Sequence, residues 1–270
     1  MRFISSRSGF TLAKPLQTVV AGEWVTREQE PRYRHWLTAV RAVSERSREL
    51  GPRPRRLGPD GAFAGDYLAH DRIANGQVLA TVSAWLQRAT SHSLDVQIDT
   101  VAGKDRFSLM LSPTGGQAPV RIPLTDTGEG MAQVLPVLVL GALARQGQLG
   151  SRPFLLVEHP ELHLHPAIHA ELAAFFCELA RDVDGPTTVL ETHSENVLLR
   201  VQLAIARGEL DPAKVIVHWV RSLPEGPAVV ESITFDELAR PQGDWPPRVF
   251  SSDIQQAREL LEIRRKRGAQ

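Results

Sequence analysis

Apolar and polar positions follow two different periods along this chain. They alternate at residues 94–98 and again at 107–111, on either side of a Gly-Lys-Asp turn at 103–105. This period of two predicts an antiparallel hairpin. Residues 66–89 carry apolar positions at helical spacing instead, which predicts one amphipathic helix.

The second half of the chain predicts a regular succession of strands and helices. A short apolar run at 154–157 is typical of a strand buried on both faces, and a helix begins at Pro166, where proline suits the first turn. A strand at 187–190, a helix capped by Ser194 and running through 207, and a strand at 215–220 follow. This order predicts a parallel βαβαβ unit, with Glu158 and the 191–193 turn at the same carboxyl edge of the sheet.

The front of the chain is less regular. We predict an irregular or helical region at residues 1–61, with a helix at 35–50 and a loop at 51–61, where proline and glycine are frequent. Residues 62–270 then form an α/β lobe with a parallel sheet and the hairpin. A boundary between the two parts is expected near residue 61.

Composition gives information about the cellular compartment but not about the function. The 270 residues include 31 basic and 31 acidic ones, and this balance gives no global argument for nucleic acid or membrane as a partner. Basic clusters at 53–56 and 264–267 are explained at least as well by a solvated surface. Cys177 is the single cysteine and is predicted to be buried, which favours a reducing, cytoplasmic compartment. The longest apolar segment, around 134–144, is too short to span a bilayer.

Three polar segments carry a resemblance to a known family. Residues 125–136, 155–166 and 190–195 resemble, in this order, the signature, the Walker B motif with its D-loop, and the switch-histidine motif of ABC-type ATPases. The similarity is to the RecF-, SMC- and OLD-like AAA ATPases and spans about residues 50–270. It implies a lobe like that of P-loop NTPases, with ATP and Mg²⁺ as cofactors.

The resemblance assigns roles at the Walker B and switch segments. Glu158 is expected to hold Mg²⁺ through the nucleotide, and His193 is expected to contact the γ-phosphate. His159 stands where hydrolytic relatives often place a glutamate that activates water. Imidazole can act as a base near neutral pH, but nearby Mg²⁺ and phosphate charges compete in setting its protonation. Hydrolysis is therefore expected to be slow or absent, or else to be supported by Glu161, and weak turnover is the favoured outcome.

The signature segment is expected to act on a nucleotide held by another subunit. Gly128, Gly130 and Gln133 open a helix whose free N–H groups suit a phosphate. An ordinary buried helix capped by glycine is the simpler alternative. In the resemblance, His163 and His165 lie in the D-loop, which communicates across the dimer.

A phosphate loop of the form G-x-x-x-x-G-K-[S/T] does not occur in the sequence. The resemblance therefore implies the part of an ATPase that follows an inserted segment, completed by a Walker A-bearing subunit, by a missing N-terminal half or in a self-dimer. We expect ATPase activity only after such completion, and weak ATP binding by the isolated chain. Relatives act in DNA repair, chromosome maintenance or phage defence, so DNA is a further candidate partner. A nucleotide-independent interaction protein is the alternative.

A zinc site is a lesser alternative, because four histidines lie close together in the sequence. Their spacing argues against convergence, since Pro160 and Pro166 interrupt any helix across the first three. The four are His159, His163, His165 and His169.

Overall fold

The computed structural model describes residues 2–6, 34–42, 44–115, 120–182, 184–221, 227–243 and 245, the first range by its backbone alone. The helices are α1 (Ala64–Ala74), α2 (Gln77–Thr90), α3 (Glu129–Arg145), α4 (Pro166–Arg181) and α5 (Glu195–Ala206). The strands are β1 (Arg2–Ser6), β2 (Arg34–Leu37), β3 (Arg48–Glu49), β4 (His92–Val101), β5 (Lys104–Pro113), β6 (Ile122–Pro123), β7 (Phe154–Glu158), β8 (Thr187–Glu191), β9 (Ile216–Arg221), β10 (Val229–Phe235) and β11 (Pro241–Gln242).

A seven-stranded sheet organises the molecule. Its order is β11-β10-β9-β1-β8-β7-β2. The five strands from β9 to β2 are parallel, and β10 and β11 continue the sheet antiparallel. The predicted α/β class with a parallel sheet is confirmed.

The βαβαβ prediction is confirmed in its elements and wrong in one adjacency. β7, α4 and β8 form a parallel unit, and Ser194 caps α5 by accepting a hydrogen bond from the Val197 amide. However, β9 does not pair with β8, because β1 lies between them and is parallel to both. No pattern in residues 2–6 predicts a strand at this position, because its partners lie far away along the chain.

The predicted hairpin is confirmed and forms a second sheet. β4 and β5 pair from His92 to Pro113 around a two-residue turn, in which Ala102 and Gly103 have φ values of 51° and 77°. Two positive φ values match the twist of a tight hairpin. β3 and β6 pair with β5, and α2 packs against β4.

Two predicted helices need correction. The single helix at 66–89 is two helices, α1 and α2, because Gly76 adopts a φ of 69° between them. The predicted helix at 35–50 is wrong, since this segment contains β2 and β3. β2 hydrogen-bonds to β7 along the edge of the sheet, and this pairing outweighs the helical spacing of the segment.

The core continues across the expected boundary at residue 61. Leu37 and Leu57 belong to the same buried cluster as Leu155 and Leu172. The division of the chain at residue 61 stays a prediction, although strands from both sides of it share the large sheet. In the described residues, no helix combines the length and apolarity that crossing a bilayer requires.

Candidate functional site

The carboxyl ends of three parallel strands meet at one edge of the sheet. Glu158 of β7 pairs in register with Glu191 of β8, and Ile4 of β1 is level with Glu191 on its other side. Glu161 follows β7 in the next turn. We call the group formed by Glu158, Glu161 and Glu191 the acidic edge. Crevices at the carboxyl ends of strands are where open α/β sheets bind ligands.

The carboxylate of Glu158 accepts hydrogen bonds from β2 and from the segment that follows it. Trp36 Nε1 donates to Oε1 at 3.0 Å, and the Ala39 amide donates to Oε2 at 3.0 Å. Each carboxylate oxygen accepts more than one hydrogen bond, so both keep capacity for a metal-bound water. Glu158 is thus oriented by protein donors and still has the chemistry of a magnesium ligand.

Arg41 lies buried beside the acidic edge, with 3% of its surface exposed. Its Nη2 donates to the carbonyl oxygens of Glu158 at 2.6 Å and His159 at 3.3 Å, while Nε and Nη1 have no hydrogen-bond partner among the described residues. Burial lowers the pKa of Arg41 to about 10, and the charges of Glu161 and Glu158 oppose this shift. The guanidinium is therefore a cation at neutral pH and offsets the repulsion between the carboxylates.

Glu161 fixes the turn that carries His193. Its Oε1 accepts hydrogen bonds from Thr192 Oγ1 at 2.6 Å and from the His193 amide at 3.0 Å. Thr192 Oγ1 in turn accepts from the Ser194 amide at 3.0 Å. Glu161 is buried, and its Oε2 has no hydrogen-bond partner in the described part of the chain. The carboxylate thus positions His193 rather than facing solvent.

His159 and His193 lie against each other above the edge. Their ring centroids are 4.7 Å apart at 30°, and His159 Nε2 is 3.8 Å from Glu191 Oε1. Burial and the neighbouring His159 lower the pKa of His193, whereas Glu161 raises it. Burial raises the pKa of Glu191, against the opposing effect of His159. The two imidazoles therefore form one coupled group with Glu191.

The backbone at His159 is strained. Its φ is 40°, a left-handed value that is uncommon for a residue with a side chain. The conformation is held by the His159 amide, which donates to the Glu191 carbonyl at 2.8 Å, and by the Leu162 amide, which donates to the His159 carbonyl at 3.0 Å. Strain that is maintained by surrounding contacts is frequent at functional sites.

The structure places the signature residues in three different environments. Gly128 caps α3, and no atom lies within 4 Å of the position that a Cβ would occupy. A Cβ on Gly130 would lie 2.5 Å from the His163 carbonyl oxygen, so this glycine allows α3 to approach the turn after β7 closely. The Gln133 amide exchanges two 3.3 Å hydrogen bonds with the backbone of Arg41. Their role as nucleotide contacts stays a prediction.

The four clustered histidines do not share a partner. His163 Nδ1 is 3.6 Å from Glu129 Oε2, and His165 Nδ1 accepts a hydrogen bond from the Ala167 amide as the N-cap of α4. His169 lies between Ser194 Oγ and the Leu164 carbonyl, while His159 faces Glu191. Within the described ranges, no three histidine, cysteine, aspartate or glutamate residues are placed to hold a metal ion. The structure therefore gives no support to the zinc alternative.

Two residues of this site were not predicted from the sequence, and a third was predicted at the edge without a role. Trp36 lies in the edge strand β2 and Arg41 follows it, in a segment that was predicted as helix, so nothing placed them near Glu158. Glu191 was placed at the edge but was given no role, although it precedes Thr192 and His193 directly. Its pairing with Glu158 follows from the register of β7 and β8.

Comparison with known proteins gives one family match. Residues 79–200 match a family model described as "AAA domain, putative AbiEii toxin, Type IV TA system". A search of curated protein sequences finds no match. The matched segment includes the signature, Glu158 and His193.

Solved structures with partial similarity include several SMC head domains. The head of Pyrococcus furiosus Smc, with an extended coiled coil and bound to the C-terminal domain of ScpA, is 13% identical with a TM-score of 0.42, over 75% of this chain and 42% of that one. A structure from a study of ATP-driven dimerization and DNA-stimulated activation of SMC ATPases is 13% identical with a TM-score of 0.42, over 63% and 90%. The SMC head domain of Thermotoga maritima is 11% identical with a TM-score of 0.38, over 63% and 53%.

This chain spans less than half the length of the first of these structures. TM-scores of this size do not support an argument about the fold. The fold description therefore depends on the strand order and register given above. The family match supports a relationship of residues 79–200 to AAA domains.

Proposed function

We propose that this chain is an ATP-binding head domain that hydrolyses ATP slowly, and only after association with a second subunit. The observation that carries the proposal is the convergence of Glu158, Glu161, Glu191 and His193 at the carboxyl ends of β7 and β8, beside the end of β1. Magnesium and nucleotide phosphates suit such an edge, because carboxylate oxygens bind the cation and nearby N–H groups bind the phosphates.

Glu158 is the proposed magnesium residue. Mg²⁺ usually keeps several waters and takes one or two carboxylates, so one oriented glutamate is sufficient on the protein side. When bound, the ion supplies charge neutralisation to the phosphates. Trp36 and Ala39 keep the carboxylate in place for this contact.

His159 is the proposed base, and Glu161 has a different role. The two hydrogen bonds from Thr192 and His193 engage Glu161 Oε1 and keep it directed at the His193 turn. His159 instead lies between Glu191 and His193, where a base can take a proton from water. This arrangement supports slow turnover through His159, with Glu161 as a positioning residue for His193.

The residues available to contact the nucleotide phosphates determine what a partner would have to supply. β1 already fills the sheet position between β8 and β9, so a partner need not insert a strand there. Compared with G-x-x-x-x-G-K-[S/T], residues 4–11 have Gly9 and Thr11 at matching positions, but Ile4 and Phe10 stand in place of the first glycine and the lysine. Residues 7–33 lie outside the described ranges. The missing lysine charge supports weak ATP binding by the isolated chain.

A second copy of the chain or a Walker A-bearing subunit would complete the site. The resemblance assigns Gly128 to a nucleotide on the opposing subunit, and the open space around Gly128 is compatible with that role. The same proposal includes DNA as a partner and a role in DNA repair, chromosome maintenance or phage defence. The description of the matched family mentions a toxin of a toxin–antitoxin system, so a toxin–antitoxin system is a further proposed setting.

A nucleotide-independent interaction protein is the second candidate. Both oxygens of Glu158 have protein donors, and Gln133 is engaged by the Arg41 backbone. Arg41 also provides a cation at the acidic edge without any metal. These contacts favour a site that folds without a ligand.

Binding of a fluorescent ATP analogue separates the two candidates. We expect Mg²⁺-dependent binding in about the millimolar range for the isolated chain. His193→Ala should weaken it about tenfold, because the charge-assisted contact to phosphate is removed. Glu171→Gln, an exposed carboxylate on α4, is the matched control and should bind like the wild type. Absence of Mg²⁺-dependent binding at any protein concentration would favour the interaction protein.

A further inference from the structure

A second concave site lies on the loop that connects β3 to α1. The cavity has a volume of about 650 Å³, within the range of small-ligand pockets. Four arginines line it, Arg48, Arg53, Arg55 and Arg56, and we call it the arginine cavity. Its loop contains the basic cluster at residues 53–56, which the proposed function does not use.

The backbone of this loop is held at both ends. His70 Nε2 lies 2.9 Å from the Gly51 carbonyl oxygen, and the Thr38 amide donates to the Pro59 carbonyl at 2.8 Å. Leu57 is buried in the core between these two contacts. Pro52 and Pro54 restrict φ on either side of Arg53. The arginines are therefore presented from a preorganised loop.

Two of the arginines form the wall of the cavity. The Arg48 guanidinium lies 5.3 Å from the Phe63 ring centroid, and its Nη1 is 3.1 Å from Asp66 Oδ2. The Arg53 guanidinium lies 5.8 Å from the Tyr67 ring centroid, and its Nη2 donates to Gln148 Oε1 at 2.7 Å. Contacts of this kind fix the planes of both guanidinium groups.

The other two arginines are free to bind. Arg55 and Arg56 are exposed, and within the described part of the chain neither has a hydrogen-bond or ion-pair partner. Arg56 also acts on His35 electrostatically. Burial is the larger cause of the lowered pKa of His35, and the positive charge of Arg56 lowers it further. The acidic residues of the lining do not neutralise it, since Glu49 pairs with Lys104 at 2.9 Å and Asp66 with Arg48.

We infer that the arginine cavity binds the phosphate groups of an anionic ligand. Guanidinium groups match phosphate oxygens in a two-point geometry, and the loop that carries Arg55 and Arg56 is already held in place before a ligand binds. Arg55 and Arg56 make the phosphate contacts, while Arg48 and Arg53 provide the shape and the surrounding charge. This site is separate from the acidic edge and does not depend on the proposed ATPase function.

Two probes identify the source of the phosphate. Inorganic tripolyphosphate represents a small phosphorylated ligand and is followed by calorimetry. A fluorescein-labelled single-stranded DNA oligonucleotide represents a phosphodiester backbone and is followed by anisotropy over a series of salt concentrations. Binding of tripolyphosphate alone identifies a small ligand, and salt-dependent binding of the oligonucleotide identifies nucleic acid.

Matched charge variants test the site itself. The double variant Arg55→Gln/Arg56→Gln should bind the effective probe at least about tenfold more weakly, because it loses two charge-assisted contacts. The control Arg88→Gln/Arg207→Gln removes the same charge from exposed positions elsewhere and should change binding less than about twofold. His193→Ala should retain binding, which separates this cavity from the acidic edge. Equal losses in the two double variants, or no binding of either probe at low salt, would overturn the inference.

Discussion

Charge is arranged differently at the acidic edge and in the arginine cavity. Arg41 is buried beside the carboxylates of the edge and donates to two backbone carbonyls. Arg55 and Arg56 are exposed on the cavity loop and have no such partner among the described residues. The two regions are connected, because Thr38, which contacts Pro59 of the loop, directly precedes Ala39, which contacts Glu158.

The difference separates charges that hold the fold together from charges that are available for a ligand. Removing one member of a buried, hydrogen-bonded charge group leaves the others uncompensated, at a cost of several kcal/mol. Removing an exposed, unpaired charge changes stability little. Substitutions at the edge should therefore affect stability, and substitutions in the cavity should affect binding.

Arg41→Leu should have the largest effect. It leaves the carboxylates of the acidic edge without this cation and removes the Arg41 hydrogen bonds to the carbonyls of Glu158 and His159, of which the second keeps the Leu162 amide as a donor. We expect a loss of about 3 kcal/mol in the free energy of unfolding, measured by urea denaturation. Arg88→Leu, at an exposed position, serves as control and should stay within about 0.5 kcal/mol of the wild type. Similar losses in both variants would remove the distinction between the two kinds of charge.

Glu161→Ala should have the next largest effect. Thr192 Oγ1 and the His193 amide lose their shared acceptor inside the protein. Unsatisfied buried donors cost about 2 kcal/mol, and amide hydrogen exchange at His193 should accelerate. Glu171→Ala is the control. Unchanged exchange at His193 would show that the Glu161 contact does not fix this turn.

Trp36→Phe should have a smaller effect. It keeps a ring and removes the hydrogen bond to Glu158 Oε1, which lies in an exposed setting. We expect a loss of about 1 kcal/mol or less in thermal or urea unfolding. The variant also leaves the Ala39 amide as the one donor that orients the Glu158 carboxylate among the described residues, so binding of Mg²⁺ with ATP should weaken slightly. Unchanged or tighter magnesium binding would mean that Trp36 does not orient Glu158 for the metal.

Arg55→Gln/Arg56→Gln should have the smallest effect on stability, within about 0.5 kcal/mol for each position. Both side chains lie in solvent and have no partner to lose within the described ranges. Unfolding curves recorded beside the phosphate-binding assay test this directly. A loss above about 1 kcal/mol would show that these arginines also stabilise the loop.

Much of the fold was predictable from periodicity. The hairpin, α4 and α5 have regular apolar spacing, and Pro166 and Ser194 mark the starts of their helices. The carboxyl edge followed from the parallel unit alone, so Glu158 and the turn with His193 were predicted to converge.

The missed features depend on long-range contacts. β2 has no strand signal of its own, and its conformation is set by pairing with β7. Trp36 and Arg41 reach Glu158 only because of that pairing. Likewise, the Gly130 contact with the His163 carbonyl depends on how α3 packs on the turn after β7, and no local pattern predicts it.

The position of β1 has a consequence for the order of events during synthesis. Its partners Val189 and Ile216 emerge from the ribosome long after Arg2 has appeared. Of the described strands, β1 is thus synthesised before all others and is paired among the last. Sheets that need such distant pairings fold slowly, and the position between β8 and β9 stays open until residues 2–6 return to it.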